Sequence, residues 1–443
     1  MQLTSPASQV QQAIARHFST LDKKHPFYTA KQQAWHAWGQ VGFPSLKNEA
    51  YKYTPIADML AGVFDLSQPA TTSKLTQEAI LPLHHHGLDA YQLVLLNGQL
   101  SGNHSQLGNH KHSLQVLTFS EAYQQHQALF LQHLSQHAQD EVDAFEALNT
   151  ALFEEGTFIY IADHAVLEKP LLIYHIIDTQ ATQSLTYPRL LIAVGQNSQA
   201  SLVIDWRTLG QHPSFINAVT EIMLGKDARL DYCTLQIQMG QAYQVNTTQC
   251  YQASQSEFNN YTFTWDGMLV RNNLHIHIDA PHSEANMYGL YCLDGRQHVD
   301  NHTRVNHTKP HTQSYELYRG ILAGEATGVF NGRIYVRSEA QKTHAFQANN
   351  NLLLTDQATI HTKPQLEIWA DDVKCSHGAT TGQLDEAQLF YLTTRGIPAD
   401  TARYMLLNAF ASDVIDRVPL VVLKPYLQQA LEKKLSTLGI KDY

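Results

Sequence analysis

From Gly156 onward one short pattern keeps returning. A small polar cluster leads into alternating apolar residues, as in "NSQASLVIDW", "KDARLDYCTLQI", "QSEFNNYTFTW", "HSEANMYGLYCL" and "HTQSYELYRGIL". The starts fall about 28 residues apart, the mark of a repeat architecture. Each unit is too short to contain a helix and too strand-rich for a TPR or ankyrin unit. A coil of short strands, each stacked on the previous turn, fits the pattern: a β-helix. Its rungs pair their backbone groups with one another and leave only the two ends as exposed edges. An irregular β-sandwich with long loops is the competing architecture.

The flanks have a different texture. Within residues 1–155, "ASQVQQAIARHF" places Val10, Ile14 and Phe18 four residues apart, and "TAKQQAWHAWGQ" ends on Gly39 as an expected C-cap. "HSLQVLTFSEAYQQHQALFLQHLSQH" and "DAFEALNTALFEEG" have helical spacing, whereas "GFPSLKNEAYKYTP" reads as a loop with a short extended piece. "YQLVLLNGQL" predicts a small strand pair around an Asn-Gly turn. Residues 156–377 form the expected β-helix, and residues 378–443 a three-helix tail. Its first helix starts on Asp385 as N-cap and stops at Gly396; its second aligns Ala402, Leu406, Ala409, Phe410 and Val414; its third is irregular near Pro425. Such a tail either caps the last rung or offers a surface to a partner.

Composition removes several function classes. A net charge of −10 over 443 residues argues against a nucleic-acid grip, which needs a basic face. No apolar run approaches the roughly 18 residues of a membrane span. The N-terminus shows no basic region followed by an apolar core, so no secretory signal is expected. Cys233, Cys250, Cys292 and Cys375 are too few and too scattered for a disulfide framework. Reduced thiols in a cytoplasm are the expectation. Neither G-x-x-x-x-G-K-[ST] nor G-x-S-x-G occurs, so no ATP site and no serine-hydrolase elbow are expected in this chain.

The most specific chemistry lies in "VKCSHGATTG". On a strand, Cys375 and His377 leave one face with Cα atoms about 6.5 Å apart. Thiolate and imidazole suit zinc, copper or iron–sulfur species, yet two ligands are half of a four-ligand site. The plainer reading makes Cys375 a buried small hydrophobe and His377 a strand residue. A half-site acquires meaning only if another chain supplies the rest. His298, His302, His307 and His311 could suggest a metal site, but a strand would splay the first two about 13 Å apart, and polar ladders on successive rungs fit better. His275 and His277 give a cupin-like echo without the rest of that motif, and His84 to His86 read as a solvated loop. Asp371 and Asp372 could suggest a carbohydrate-active β-helix enzyme, although adjacent strand residues point to opposite faces.

The stretch "KPQLEIWADDVKCSHGATTGQLDEAQLFYLTTRGI" closely resembles the signature of the SufB/SufD family, subunits of the SufBCD iron–sulfur cluster assembly complex. The resemblance extends through "GRQHVDNHTRVNHTKPHTQS", "GVFNGRIYV" and "AQKTHAFQANNNLLL", and upstream to "GFPSLKNEAYKYTP" and "FEALNTALFEEG", from Gly42 to Arg417. Tyr51 stands where the family often has Trp, and "IWADD" replaces "IYADD". Gly378 occupies the place of a SufB glutamate, which favours the non-ATPase SufD branch. The resemblance implies a right-handed parallel β-helix flanked by N-terminal and C-terminal helical domains, acting as a scaffold rather than an enzyme. It implies pairing with SufB through the β-helices, docking of the SufC ATPase on the C-terminal helices, and iron acquisition and cluster assembly at the SufB–SufD seam. Cys375 and His377 would then face a transient iron–sulfur cluster shared with SufB. Phe390, Arg395, Arg403 and Phe410 are the residues expected to face SufC. Self-pairing in the absence of SufB, and any part played by a flavin, stay open.

Overall fold

The structure, a computed structural model, describes residues 14–24, 26–56, 60, 88–108, 112–134, 143–438 and 440. Val10 and the triplet His84 to His86 lie outside the described residues.

The chain winds as a parallel β-solenoid of about 8 turns, laying alternate strands into two sheets. The first sheet ends with Glu284–Leu293, Gln313–Leu322, His344–Leu353 and Lys374–Gly382; the second ends with Leu269–Ile278, His298–His307, Thr327–Val336 and Thr359–Ile368. Side-chain bonds between rungs such as Asn259–Asn286 and Glu316–Gln347 join residues 27 and 31 positions apart, in agreement with the repeat read from the sequence.

The repeating polar cluster has a specific cause. At one corner of successive coils Asn197, Asp227, Gln255, His282, His311 and Lys342 all adopt the left-handed conformation, with φ between 53° and 63°. That conformation disfavours residues with a Cβ by roughly 1–2 kcal/mol. Here the N–H groups of five of them donate to the carbonyl one coil onward: Asn197 to Lys226, Asp227 to Ser254, Gln255 to Pro281, His311 to Gln341 and Lys342 to Asp372, at 2.7–3.2 Å. The next residue in each coil is small and buried: Ser198, Ala228, Ser256, Ser283, Thr312 and Thr343. Several of their hydroxyls donate back to a corner carbonyl, as Ser256 does to Ala253 (2.7 Å) and Thr343 to Ala340 (2.7 Å).

Inside the coil, the early rungs stack Leu202, Ile204, Ile216 and Ile222. Later rungs become polar, and their side chains bond along the stack. Gln236 donates to Asn272 (2.9 Å), Asn272 to Asn301 (3.1 Å) and Gln347 to Glu316 (2.6 Å). Outside, on the exposed corner, His282 stacks on His311 at 5.1 Å. Burial pushes the Glu316 carboxyl up to about 7, against opposing hydrogen bonds from Thr303 and Gln347.

The sheets extend past both ends of residues 156–377. Tyr91–Leu96 pairs in parallel with Leu171–Thr179 and turns back through Asn97 (φ 49°) and Gly98 (φ 87°) onto Gln99–Leu100, the expected hairpin. Leu114–Thr118 runs antiparallel to Thr157–Ile161. Helical spacing is therefore wrong for the start of "HSLQVLTFSEAYQQ": its alternating residues complete a sheet, and helix begins only after Thr118, which caps it with Glu121 in a reciprocal box. The preceding helix, Tyr28–Val41, runs past Gly39 and ends at Gly42 (φ 61°). Ala144–Leu152 is helical as expected, with Asp143 as N-cap, and Asn149 docks it on the second sheet through the Pro188 and Asn217 carbonyls.

The C-terminal helices Glu386–Thr394, Ala399–Ile415 and Lys424–Thr437 do not cap the last rung. The latter two fold back along the outside of the first sheet, where Leu407, Val414, Leu427 and Leu431 meet Tyr261, Phe263, Leu290 and Ile321. Leu407 and Ala411 are buried in place of the expected Leu406 and Ala409, because the face meeting the sheet runs through Tyr404, Leu407, Ala411 and Val414.

Glu316 supplies a stability test. A carboxyl whose folded pKa is raised stabilises least where it is ionised, so its unfavourable contribution grows as pH rises from the unfolded value of 4.5 through about 7. Glu316→Gln is expected to match the parent melting temperature near pH 5 and to exceed it by a few degrees, about 2–4 °C per kcal/mol, near pH 8. Thermal melts across that range check it.

Candidate functional site

The last coil leaves the solenoid open. Lys374–Gly382 pairs on one side with His344–Leu353, and Thr359–Ile368 on one side with Thr327–Val336; among the described residues neither has a strand on its other edge. Almost every residue of Lys374–Gly382 is exposed, whereas alternate residues of the neighbouring His344–Leu353 are buried.

Register fixes which way the site points. Cys375 lies beside Ala345 and His377 beside Gln347, both buried residues of the coil interior. Cys375 and His377 therefore share the inward face, as alternation predicts, at the mouth of the lumen. Cys375 is half-buried against Ile334, Val336, Ala340, Ala345 and Ala370, and burial raises its thiol pKa despite a hydrogen bond from the Ala345 backbone. His377 is exposed. Beneath it in the same column lie Gln347 and then Glu316. Opposite Gln347, Gly332 leaves room that a methyl group would take from the Gln347 amide.

The other cysteines are unsuited to ligation. Cys233, Cys250 and Cys292 are buried, and desolvation drives each thiol far up, that of Cys292 to about 12. The remaining candidates disperse. His298 bonds Thr54 (3.0 Å), His302 bonds Asp300 (3.2 Å), and His307 turns a corner between Thr312 and Ser314. His275 and His277 share Gln249 at 3.0 and 3.2 Å. No group of three or more His, Cys, Asp or Glu able to hold a metal occurs among the described residues. Asp371 and Asp372 lie in a turn, with Asp372 paired to Lys342, so they build no carbohydrate site.

On the tail, Phe390 is 70% exposed and Arg395 lies over the Tyr391 ring at 5.1 Å. Arg403 is exposed beside Asp400 (3.6 Å). Phe410 is different. Arg319 donates to its carbonyl (2.7 Å), covers its ring at 4.6 Å and pairs with Asp413. It belongs to the seam between tail and solenoid. Sequence reasoning missed Val421 and Val422, 73% and 57% exposed; the signal was an apolar run, "PLVVLKP", at a helix start.

Comparison with known proteins finds family matches over most of the chain. Residues 175–410 match the family model described as SUF system FeS cluster assembly, SufBD core domain, and residues 8–173 match the SufBD protein N-terminal region. A SufBD family iron–sulfur cluster assembly protein of Synechocystis sp. is 29% identical over 90% of this chain and 89% of its own length. The iron–sulfur cluster assembly protein SufD of Escherichia coli is 28% identical over 85% and 86%. SufD of Bacillus subtilis is 24% identical over 65% and 66%.

The burial pattern predicts thiol reactivity. In the native chain one thiol is expected to react with an aromatic disulfide reagent within minutes, faster as pH rises, and Cys375→Ala removes it. The other three are expected to appear only in denaturant. Mass mapping of the labelled peptides checks the assignment.

Proposed function

Because the chain belongs to the SufBD family of iron–sulfur cluster assembly proteins and is SufD-like, we propose that it acts as a scaffold whose open last coil meets the corresponding end of a SufB subunit. The reading rests on one observation: the thiol and imidazole stand at the mouth of a coil whose outer edge has no strand partner among the described residues. Unpaired strand edges recruit further strands. In such a seam Cys375 and His377 contribute part of a coordination shell to iron and sulfide arriving as substrates, and the partner contributes the rest. An incomplete shell on each side also favours release, since neither chain alone holds four ligands.

The tail is the proposed contact for a SufC ATPase. Phe390, Tyr391, Val421 and Val422 are large, apolar and exposed, a combination that marks contact surfaces. Arg319 ties the tail to Gln313–Leu322, two rungs from the last strand. A SufC pair that closes on ATP and prefers one seam geometry would shift the seam by its difference in affinity for the two states. Arg395 and Arg403 are exposed enough to join that contact; Phe410 serves the seam beneath it.

Coexpression with SufB and SufC tests the proposal. Cys375→Ala/His377→Ala is expected to co-purify with both partners while iron and acid-labile sulfide per complex fall about tenfold or more. Undiminished cluster content in that double variant would reject the ligand role. Separately, Phe390→Asp/Val421→Asp is expected to weaken SufC capture at least about tenfold while SufB pairing, read by size-exclusion chromatography, is retained.

A further inference from the structure

His275, His277, His298 and His302, which the last coil does not use, share one face of the second sheet. On the outer face of the second sheet, register sets Asn273 beside His302 and His275 beside Arg304. Residues 44–54 cross above this face and are fastened at four points. Lys363 pairs with Glu49, Arg271 donates to the Ala50 carbonyl (2.9 Å), Thr54 donates to Asp300 (2.5 Å), and Tyr53 stacks on His361 at 4.0 Å. Between segment and sheet lie two adjoining cavities of about 450 and 430 Å³, which share Glu49, Ala50, His302 and Asn331 in their walls. Each is within the size range of a small-ligand pocket.

The balance of charge decides the sign of the ligand. The carboxylates around these cavities are already engaged: Glu49 by Lys363, Asp300 by Arg271 and His302, and Asp143 by the N–H groups of Phe145 and Glu146. Burial pushes Glu146 up to about 7, so near neutral pH much of it carries no charge. Arg333 is occupied by Glu367. Three cations are left over: Lys47 on the exposed rim, Lys52 and Arg304. Arg304 donates to the Asn306 side chain at 3.3 Å, and Lys52 lies over the Tyr53 ring at 5.3 Å; none of the three forms an ion pair among the described residues. Their field reaches the imidazoles. Burial, then His277, then Arg304 hold His275 down at about 3, and Lys52 adds to the burial that lowers His361.

We propose that this groove binds a small, multiply charged oxyanion, phosphate or carboxylate, between Arg304 in one cavity and Lys52 in the other, with His302 in the wall common to both. A guanidinium fork suits either acid group by paired hydrogen bonds, and the neutral imidazole and amide groups complete a polar lining. Such a ligand supplies the negative charge that the walls lack.

Titration calorimetry on the full chain at low ionic strength tests this, with inorganic pyrophosphate and citrate as separate probes. One saturable site per chain is expected for at least one probe, and the tighter probe tells phosphate from carboxylate. Arg304→Gln is expected to weaken binding about 10–100-fold, Lys52→Gln by a smaller factor, and Arg296→Gln, on the exposed Glu325 pair elsewhere, not at all. Equal melting temperatures without ligand show that the variants fold. Should Arg304→Gln fail that check, Lys52→Gln and the imidazole proton shifts of His277 and His302 on adding the probe decide. Absence of saturable binding by either probe, or binding indifferent to both substitutions, overturns the proposal. No partner chain enters the measurement, so its outcome is separate from the seam.

Discussion

The left-handed corner is the constraint on which the rest is built. A solenoid requires each coil to turn at the same place relative to the one below, or the side-chain columns lose register. Here a residue such as Asn197, Asp227 or His311 is held at positive φ because its N–H reaches the carbonyl one coil onward. The unfavourable local conformation and the favourable inter-coil hydrogen bond are thus coupled. The small buried residue after each corner lets the coils approach at rung spacing. Once the corner is fixed, alternation determines which side chains enter the lumen, and Cys375 and His377 are the last two in their columns before the end.

The tail settles how that end stays open. Its apolar faces lie along the outside of the first sheet, and Arg319 secures them through Phe410 and Asp413. A helix laid across the final rung would have hidden the thiol as thoroughly as Cys233, Cys250 and Cys292 are hidden. Placement beside the coil covers the sheet's hydrophobic flank and leaves the mouth accessible.

Much of this was legible in the sequence because the repeat carries its own evidence. The period, the strand alternation of Cys375 and His377, the Asn97-Gly98 hairpin and the Asp385 cap all follow from local stereochemistry. The errors have a common origin in tertiary choice. Leu114–Thr118 has residues compatible with either period, and an available sheet edge decided for strand. Ala399–Ile415 has apolar residues around much of its circumference, so only the docked sheet selects Leu407 over Leu406. The polar lumen, with Glu316 beneath Gln347, was invisible because register between coils, not spacing within one, stacks those residues. The groove over His302 was equally hidden: its walls come from residues 41–53, 143–146 and 249–365, which nothing in the linear order connects.

The two termini of the solenoid are unlike. At the beginning, the short antiparallel strands Gln99–Leu100 and Leu114–Thr118 finish the sheets. At the far limit the parallel template simply stops. Among the described residues the near pole presents edges of 2 and 5 residues and the far pole edges of 10 and 9, so the longer run of unspent backbone hydrogen-bonding capacity lies at the far pole.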